Sequence, residues 1–184
     1  MKKLLVVLLA IASFSLQAQD RRNEVRLNAL SVLVYKQLDL TYEYVINEES
    51  SVGLGLAFDL DKKNNNGILG GNQDYAITPY YRYHLPADIA QGIFFETFIS
   101  ANGGVNKKNV EDVPDYLDLN LEVDEDGKVY PEYSDFAFGL GGGYKYISES
   151  GFVGELYGGA GRNMSGGYSP EILVRLGVSF GFRF

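Results

Sequence analysis

From Ile172 to the last residue, Phe184, every second side chain is apolar: Ile172, Val174, Leu176, Val178, Phe180, Phe182 and Phe184. The positions between them are Leu173, Arg175, Gly177, Ser179, Gly181 and Arg183, mostly small or charged. A period of two is the signature of extended chain with two unlike faces. Soluble strands average about 5 to 6 residues, whereas a tilted strand that crosses a bilayer needs about 9 to 11 plus its margins. The segment therefore predicts a membrane-crossing strand, apolar toward lipid and small or polar toward an interior.

The same alternation recurs upstream. Leu38, Leu40, Tyr42, Tyr44 and Ile46 oppose Asp39, Thr41, Glu43 and Val45, and Val52, Leu54, Leu56, Phe58 and Leu60 oppose Gly53, Gly55, Ala57 and Asp59. Tyr75 to Tyr83, Ile93 to Ala101, Phe136 to Tyr146 and Phe152 to Ala160 repeat it. Pro79 interrupts the fourth run, and a proline inside a ladder predicts an edge or a bulge. A first strand over Glu24 to Val34 completes a set of eight, although its faces conflict, because Leu30 and Val32 fall on the side of Arg26 and Asn28. The expected fold is all-β, an eight-stranded antiparallel up-and-down transmembrane barrel.

Connection lengths support this. The links near Asn47 to Ser51, Leu85 to Gln91 and Ser148 to Ser150 are short, and those over Asp61 to Gln73, Asn102 to Tyr133 and Arg162 to Ser169 are longer. Short turns at one end and long loops at the other are what such barrels have. The link near Tyr35 to Gln37 breaks the rule, being short on the long side.

Export is predicted by the start of the chain. Met1, Lys2 and Lys3 precede an apolar run from Leu4 to Leu16, and Gln17-Ala18-Gln19 follows. This reads as a signal peptide over residues 1–18, leaving a barrel domain over 19–184. The run is too short for a good spanning helix of about 20 residues. There is no cysteine, so a lipidated N-terminus and disulfides are excluded.

Without Lys2 and Lys3 the chain keeps 14 bases against 24 acids, a net charge of −10 that disfavours nucleic acid as a partner. Most of it is local. Glu111, Asp112, Asp115, Asp118, Glu122, Asp124, Glu125, Asp126, Glu132 and Asp135 share their stretch with one base, Lys128.

The segments TYEYVINEESSVGLGL, TPYYRYHL, GIFFETF, FGLGGGYKYISESGFVGEL and YSPEILVRLGVSFGFRF resemble a family of small Gram-negative outer-membrane β-barrels of unknown function, similar in architecture to OmpA/OmpX-type barrels. The terminal SFGFRF looks like their C-terminal assembly signal, in Phe180, Phe182 and Phe184. The resemblance implies an outer-membrane location, contact with outer-membrane lipid and insertion by the barrel-assembly machinery. It carries over no catalytic residue.

Charges on the expected inner face are the main candidates for function: Glu43, Arg82, Glu96, Lys145, Glu155 and Arg175. Arg82 with Glu96, and Lys145 with Glu155, belong to neighbouring strands and are expected to pair. In a barrel this narrow, side chains fill the interior, so buried charges must be matched. The lone histidine, His84, lies where strand four meets a short turn and reads as a rim residue; no serine pattern accompanies it for acyl chemistry. Glu122, Asp124 and Asp126 before Gly127 offer a weak divalent-cation motif, but a hairpin closed by Asp126-Gly127 accounts for the same residues. Inward glycines at 53, 55, 139, 141, 143, 159 and 177 are expected to leave room for water. No motif calls for a cofactor or a catalytic group. The reading is a non-enzymatic barrel with a structural or surface-interaction role, a salt-bridged interior and an acidic outer loop. Its alternatives are a narrow pore for small solutes and, more remotely, a lipid-modifying enzyme.

Overall fold

The computed structural model describes residues 21–60, 71–85, 90–106, 108–109, 124 and 126–184. The expected signal peptide, residues 1–18, lies outside them. Among the described residues ten strands form: β1 (Asn23–Asn28), β2 (Gln37–Val45), β3 (Ser50–Asp59), β4 (Gly71–His84), β5 (Gly92–Asn106), β6 (Lys108–Asn109), β7 (Lys128–Val129), β8 (Glu132–Ile147), β9 (Phe152–Asn163) and β10 (Ile172–Arg183). Eight of them close into an antiparallel barrel in the order β1-β10-β9-β8-β5-β4-β3-β2. β6 and β7 pair separately as a small ribbon in the β5–β8 link.

The turns at one end are short because their residues supply turn chemistry. The Asn47 side-chain oxygen accepts the N–H groups of Glu49 (3.0 Å) and Ser50 (2.8 Å), and Gly151 takes φ +89 while donating to the Ser148 carbonyl at 2.9 Å. Both chain ends of the barrel close at this short-turn end, where Asn23 and Phe184 exchange backbone hydrogen bonds of 3.0 and 2.8 Å.

Alternation sorts the faces as expected from the sequence. Phe136, Phe138, Leu140, Leu156, Phe180 and Phe182 point outward and are exposed, Leu140 to 64% and Leu156 to 63%. A continuous outer apolar belt is the reverse of a water-soluble barrel. Inside, a layer of charges occupies the short-turn half, Tyr80, Phe98, Ala137 and Leu173 form an apolar cluster above it, and polar groups line the long-loop mouth.

The first strand departs from expectation. β1 ends at Asn28, and Ser31–Tyr35 form a π-helical turn whose C-cap, Lys36, is left-handed with φ +52. The chain leaves the sheet where its two faces would have conflicted. The first long-side link thereby lengthens, so the exception in connection length disappears. β10 continues seven residues past its last partner on β1, Ser179 opposite Asn28. There the Asn28 side chain stands in for a strand: its oxygen accepts the Val178 N–H at 3.3 Å and its Nδ2 donates to the Leu176 carbonyl at 3.1 Å.

Pro79 brings no bulge with it. The β4–β5 ladder lapses over Thr78 and Pro79 and resumes in the same register, while the only shift falls between Gln73 and Tyr75. A 2.9 Å hydrogen bond between the Thr78 and Ser100 hydroxyls bridges the lapse from inside.

The inward glycines do not all leave water pockets. At Gly53, Gly139, Gly143 and Gly177 an added Cβ would stand within 2.8 Å of a ring atom, of Tyr80, Phe98, Phe94 and Tyr157 respectively. Each ring lies over a bare patch of backbone, so missing side chains on one strand make space for aromatics from another. Gly55 is the roomier site, with nothing nearer than 3.7 Å.

Candidate functional site: the interior ion network

Seven of the eight barrel strands send charged side chains into one buried cluster near the short turns. Arg82, from β4, is its hub. Its Nε lies 2.7 Å from Glu96 Oε2, and Nη1 lies 2.7 Å from Glu155 and 2.9 Å from Glu43. Nη2 adds a second bond to Glu155 at 3.1 Å. The guanidinium sits between two rings, 4.2 Å from the Phe94 centroid and 4.5 Å from that of Tyr80. This planar, five-donor cation satisfies three carboxylates at once, which an ammonium cannot match.

Glu43, from β2, is the complementary anion. It accepts from Arg82, from Arg26 Nη2 at 2.6 Å, from Lys145 Nζ at 2.5 Å and from the Tyr80 hydroxyl at 2.9 Å. Lys145 also reaches Glu24 at 3.1 Å, Arg26 pairs with Glu24, and Arg183 Nε donates to Glu24 at 2.7 Å. Arg175 completes the upper side, 2.5 Å from Glu96 and 4.8 Å from the Phe98 centroid. Removing two unit charges from water costs several kcal/mol per ion, which only multiple short contacts offset. β3 adds no charge here; its Gly53 makes the space for Tyr80.

All six charges expected inside, Glu43, Arg82, Glu96, Lys145, Glu155 and Arg175, stand in this cluster. Arg82 and Glu96 are opposed in register and bonded, as expected. Lys145 and Glu155 are also opposed in register, but their charges go elsewhere, Lys145 to Glu24 and Glu43, and Glu155 to Arg82 and Arg26. Neighbour-strand reasoning missed that a narrow lumen lets side chains meet across it. Glu24, Arg26, Tyr80 and Arg183 were not singled out, although Arg183 already stood on the small-or-charged face of the last strand, and Glu24 and Arg26 alternate with Val25 and Leu27.

His84 stands at rim height but is not exposed. It points inward, fully buried, and neither ring nitrogen has a partner. Ser51, on β3 and diagonal to it, is equally buried with its hydroxyl unpartnered, so the two do not form a hydrogen-bonded Ser–His pair. Phe180 and Phe182 face outward with Phe152 packed between them, at centroid distances of 6.1 and 5.9 Å.

The long-loop mouth is tied by Asp135. Its carboxylate accepts from the Ser165 N–H at 2.9 Å and from the hydroxyls of Ser165 and Ser169, each at 2.5 Å. Asn106 Nδ2 donates to the Tyr168 carbonyl at 2.7 Å and Lys108 Nζ to that of Gly167 at 2.6 Å, which draws the β9–β10 loop against β5 and β6.

Of the weak cation motif, Glu122 lies outside the described residues. Asp124 serves a turn: Oδ1 accepts the N–H groups of Asp126 (3.0 Å) and Lys128 (2.8 Å), and Oδ2 accepts the Tyr130 hydroxyl at 2.8 Å. Gly127 in that turn has φ +71 and donates to the Asp124 carbonyl at 3.0 Å, while the segment before Asp124 that would form the first arm of the expected Asp126-Gly127 hairpin lies outside the described residues. No group of three or more His, Cys, Asp or Glu side chains is placed to hold a metal ion among the described residues.

No protein-family model matches this sequence, and no curated protein matches it. Among solved structures, the fold is similar to the N-terminal β-barrel domain of Pseudomonas aeruginosa OprF. The TM-score is 0.50 at 11% identity, over 89% of this chain and 98% of that one. At such identity the likeness concerns the fold.

Proposed function

We propose that the protein is a non-enzymatic outer-membrane barrel of a Gram-negative bacterium, with a closed interior and a structural or surface-interaction role. The observation that carries this reading is the inversion of the barrel: apolar side chains form its outer belt, while its lumen is filled by matched charges and rings. Such a body is soluble in a bilayer and offers water no open column. Tyr42, Tyr44, Tyr81, Tyr83, Tyr144 and Tyr146 cluster on the outer face toward the short turns, as residues at a membrane–water boundary do. The same reading takes the short turns as periplasmic and the long loops, including the acidic stretch around Asp112 to Asp126, as external. That stretch would bridge divalent cations or meet a partner. Phe180, Phe182 and Phe184 present the closing strand to the assembly machinery.

Cell fractionation with N-terminal sequencing tests the location: the protein should enter the outer membrane, begin at about Gln19 and run faster on gels unheated than boiled. Recovery from the soluble periplasm would end this reading. Planar-bilayer recording at neutral pH tests closure, and steady conductance would select the pore instead.

A further inference from the structure

At the long-loop end, the β9–β10 loop encloses a cleft of about 540 Å³ that shares no residue with the interior ion network. Its lining includes Lys108, Arg162, Met164, Gly166, Gly167 and Glu171, two cations against one anion. Among the described residues Arg162 bonds Glu171 alone, at 3.1 Å, and both side chains are 74% exposed. Ion pairs so exposed are weak, which leaves the guanidinium available to a stronger anion. Lys108 brings a second positive charge to the loop, held 2.6 Å from the Gly167 carbonyl. Gly166 and Gly167 have φ +69 and +72, and their N–H groups meet no acceptor among the described residues. An added Cβ at Gly166 would find nothing within 4 Å, so the backbone there stands bare. Asp135 holds the loop through the Ser165 and Ser169 hydroxyls and does not line the cleft.

The outer wall directly below the cleft is apolar. Arg162 stands opposite Ile172 on β10 and Phe138 on β8, both outward and exposed. The next outward positions along β9 are Ala160 and Gly158, which lie opposite Leu140 and Leu176 respectively and leave the wall shallow between those side chains. A soluble anion would use the cations and gain nothing from this wall, whereas a lipid would use both. We propose that the cleft binds the phosphate of a phosphorylated glycolipid in the outer leaflet, with an acyl chain lying on the wall between Leu140 and Leu176. The planar guanidinium can donate to two phosphate oxygens at once, and Lys108 and the glycine N–H groups add positive potential beside it. A phosphomonoester carries about −1.5 to −2 charge at neutral pH, so it displaces the Glu171 carboxylate from Arg162. Glu171 is thus a competitor for the guanidinium and sets a threshold that weaker anions do not pass.

The site rests on the outer-membrane reading above, and separate measurements keep the two apart. Protein extracted from membranes in detergent is titrated with diphosphoryl lipid A, with the same lipid stripped of phosphate, and with inorganic phosphate, and bound ligand is counted by native mass spectrometry. Diphosphoryl lipid A should bind at least about tenfold more tightly than the stripped lipid, and inorganic phosphate at least about 100-fold more weakly than diphosphoryl lipid A. Arg162→Gln should lose about tenfold for diphosphoryl lipid A and nothing for the stripped lipid, while Glu171→Gln should bind as well as the wild type or better. Equal losses in R162Q and E171Q would mean that the pair merely shapes the loop, and would overturn the site. Equal wild-type affinity for the two lipids would overturn it without any variant, and inorganic phosphate bound as tightly as lipid A would give the cleft to a soluble anion instead. Orientation is checked with Asp126→Cys, on the β6–β7 turn at the same end of a chain that has no other cysteine. D126C should react with a membrane-impermeant maleimide on intact cells. Reaction only after lysis would turn the long loops inward and remove the outer-leaflet lipid with them, whereas surface labelling without a preference for phosphate would refute the site and leave the outer-membrane barrel standing.

Discussion

Arg82 and Glu96 stand opposite one another in register, 2.7 Å apart, and yet Glu96 is only one of three carboxylates that this guanidinium holds. The stability of the barrel should reflect that unequal sharing. Replacing Arg82 by Met takes one cation from Glu43, Glu96 and Glu155 together, leaving Glu96 to Arg175 and Glu155 to Arg26, and should cost about 3 to 5 kcal/mol in urea unfolding. Adding Glu96→Gln should recover part of the loss and no more, since two buried carboxylates remain short of a cation. Full recovery in the double variant would show that Glu43 and Glu155 do not depend on Arg82.

Lys145 offers a sharper comparison. Its ammonium lies 2.5 Å from Glu43 and 3.1 Å from Glu24, and forms no ion pair with its register partner Glu155. A double-mutant cycle of Lys145→Met with Glu43→Gln should give a coupling of about 1 to 3 kcal/mol, and the cycle with Glu155→Gln a smaller one. The reverse order would restore the neighbour-strand pairing.

Glycines under rings should be intolerant, and glycines facing outward should not be. Gly177→Ala would set a methyl 2.1 Å from Tyr157 Cε1, whereas at Gly154 the nearest atom is 3.9 Å away. The first change should destabilise by about 1 to 3 kcal/mol and the second should be near neutral or slightly stabilising. Denaturation midpoints of the two alanine variants in detergent decide the matter, and equal midpoints would contradict the ring-over-glycine packing.

The last residue has two roles that can be separated. The Phe184 backbone closes the barrel on Asn23, so deleting it removes two hydrogen bonds, each worth about 1 kcal/mol. Phe184→Ala keeps those bonds and removes only the ring. It should refold in detergent like the wild type but accumulate to a lower level in cells, as a lost recognition signal would. Normal accumulation of F184A would assign the importance of this position to the backbone alone.

Most of the architecture was legible in the sequence because a period of two survives wherever one face meets an apolar surroundings and the other a packed polar lumen. Where Leu30 and Val32 broke that period, the strand had in fact ended. The identity of the inner charges was equally legible, since Glu43, Arg82 and Arg175 interrupt no apolar series. Their partners were not, because Arg82 meets Glu155 across 73 residues of sequence and a shared lumen that no single ladder describes. His84 illustrates the same gap: its place at the end of β4 could be read, while its burial against Phe94 of β5 arises from the closing of the lumen and not from its own strand.

Asn28 ends the β1 ladder and lets one amide side chain finish the wall, which leaves the join between first and last strands only five residue pairs long against fourteen between β5 and β8. A sheet rolled into a cylinder unzips where its seam is shortest. β1 is held by five pairs on its other side as well, to β2, so pulled from its own end or loosened by denaturant this barrel should lose β1 first while the β4–β5–β8–β9 face still holds.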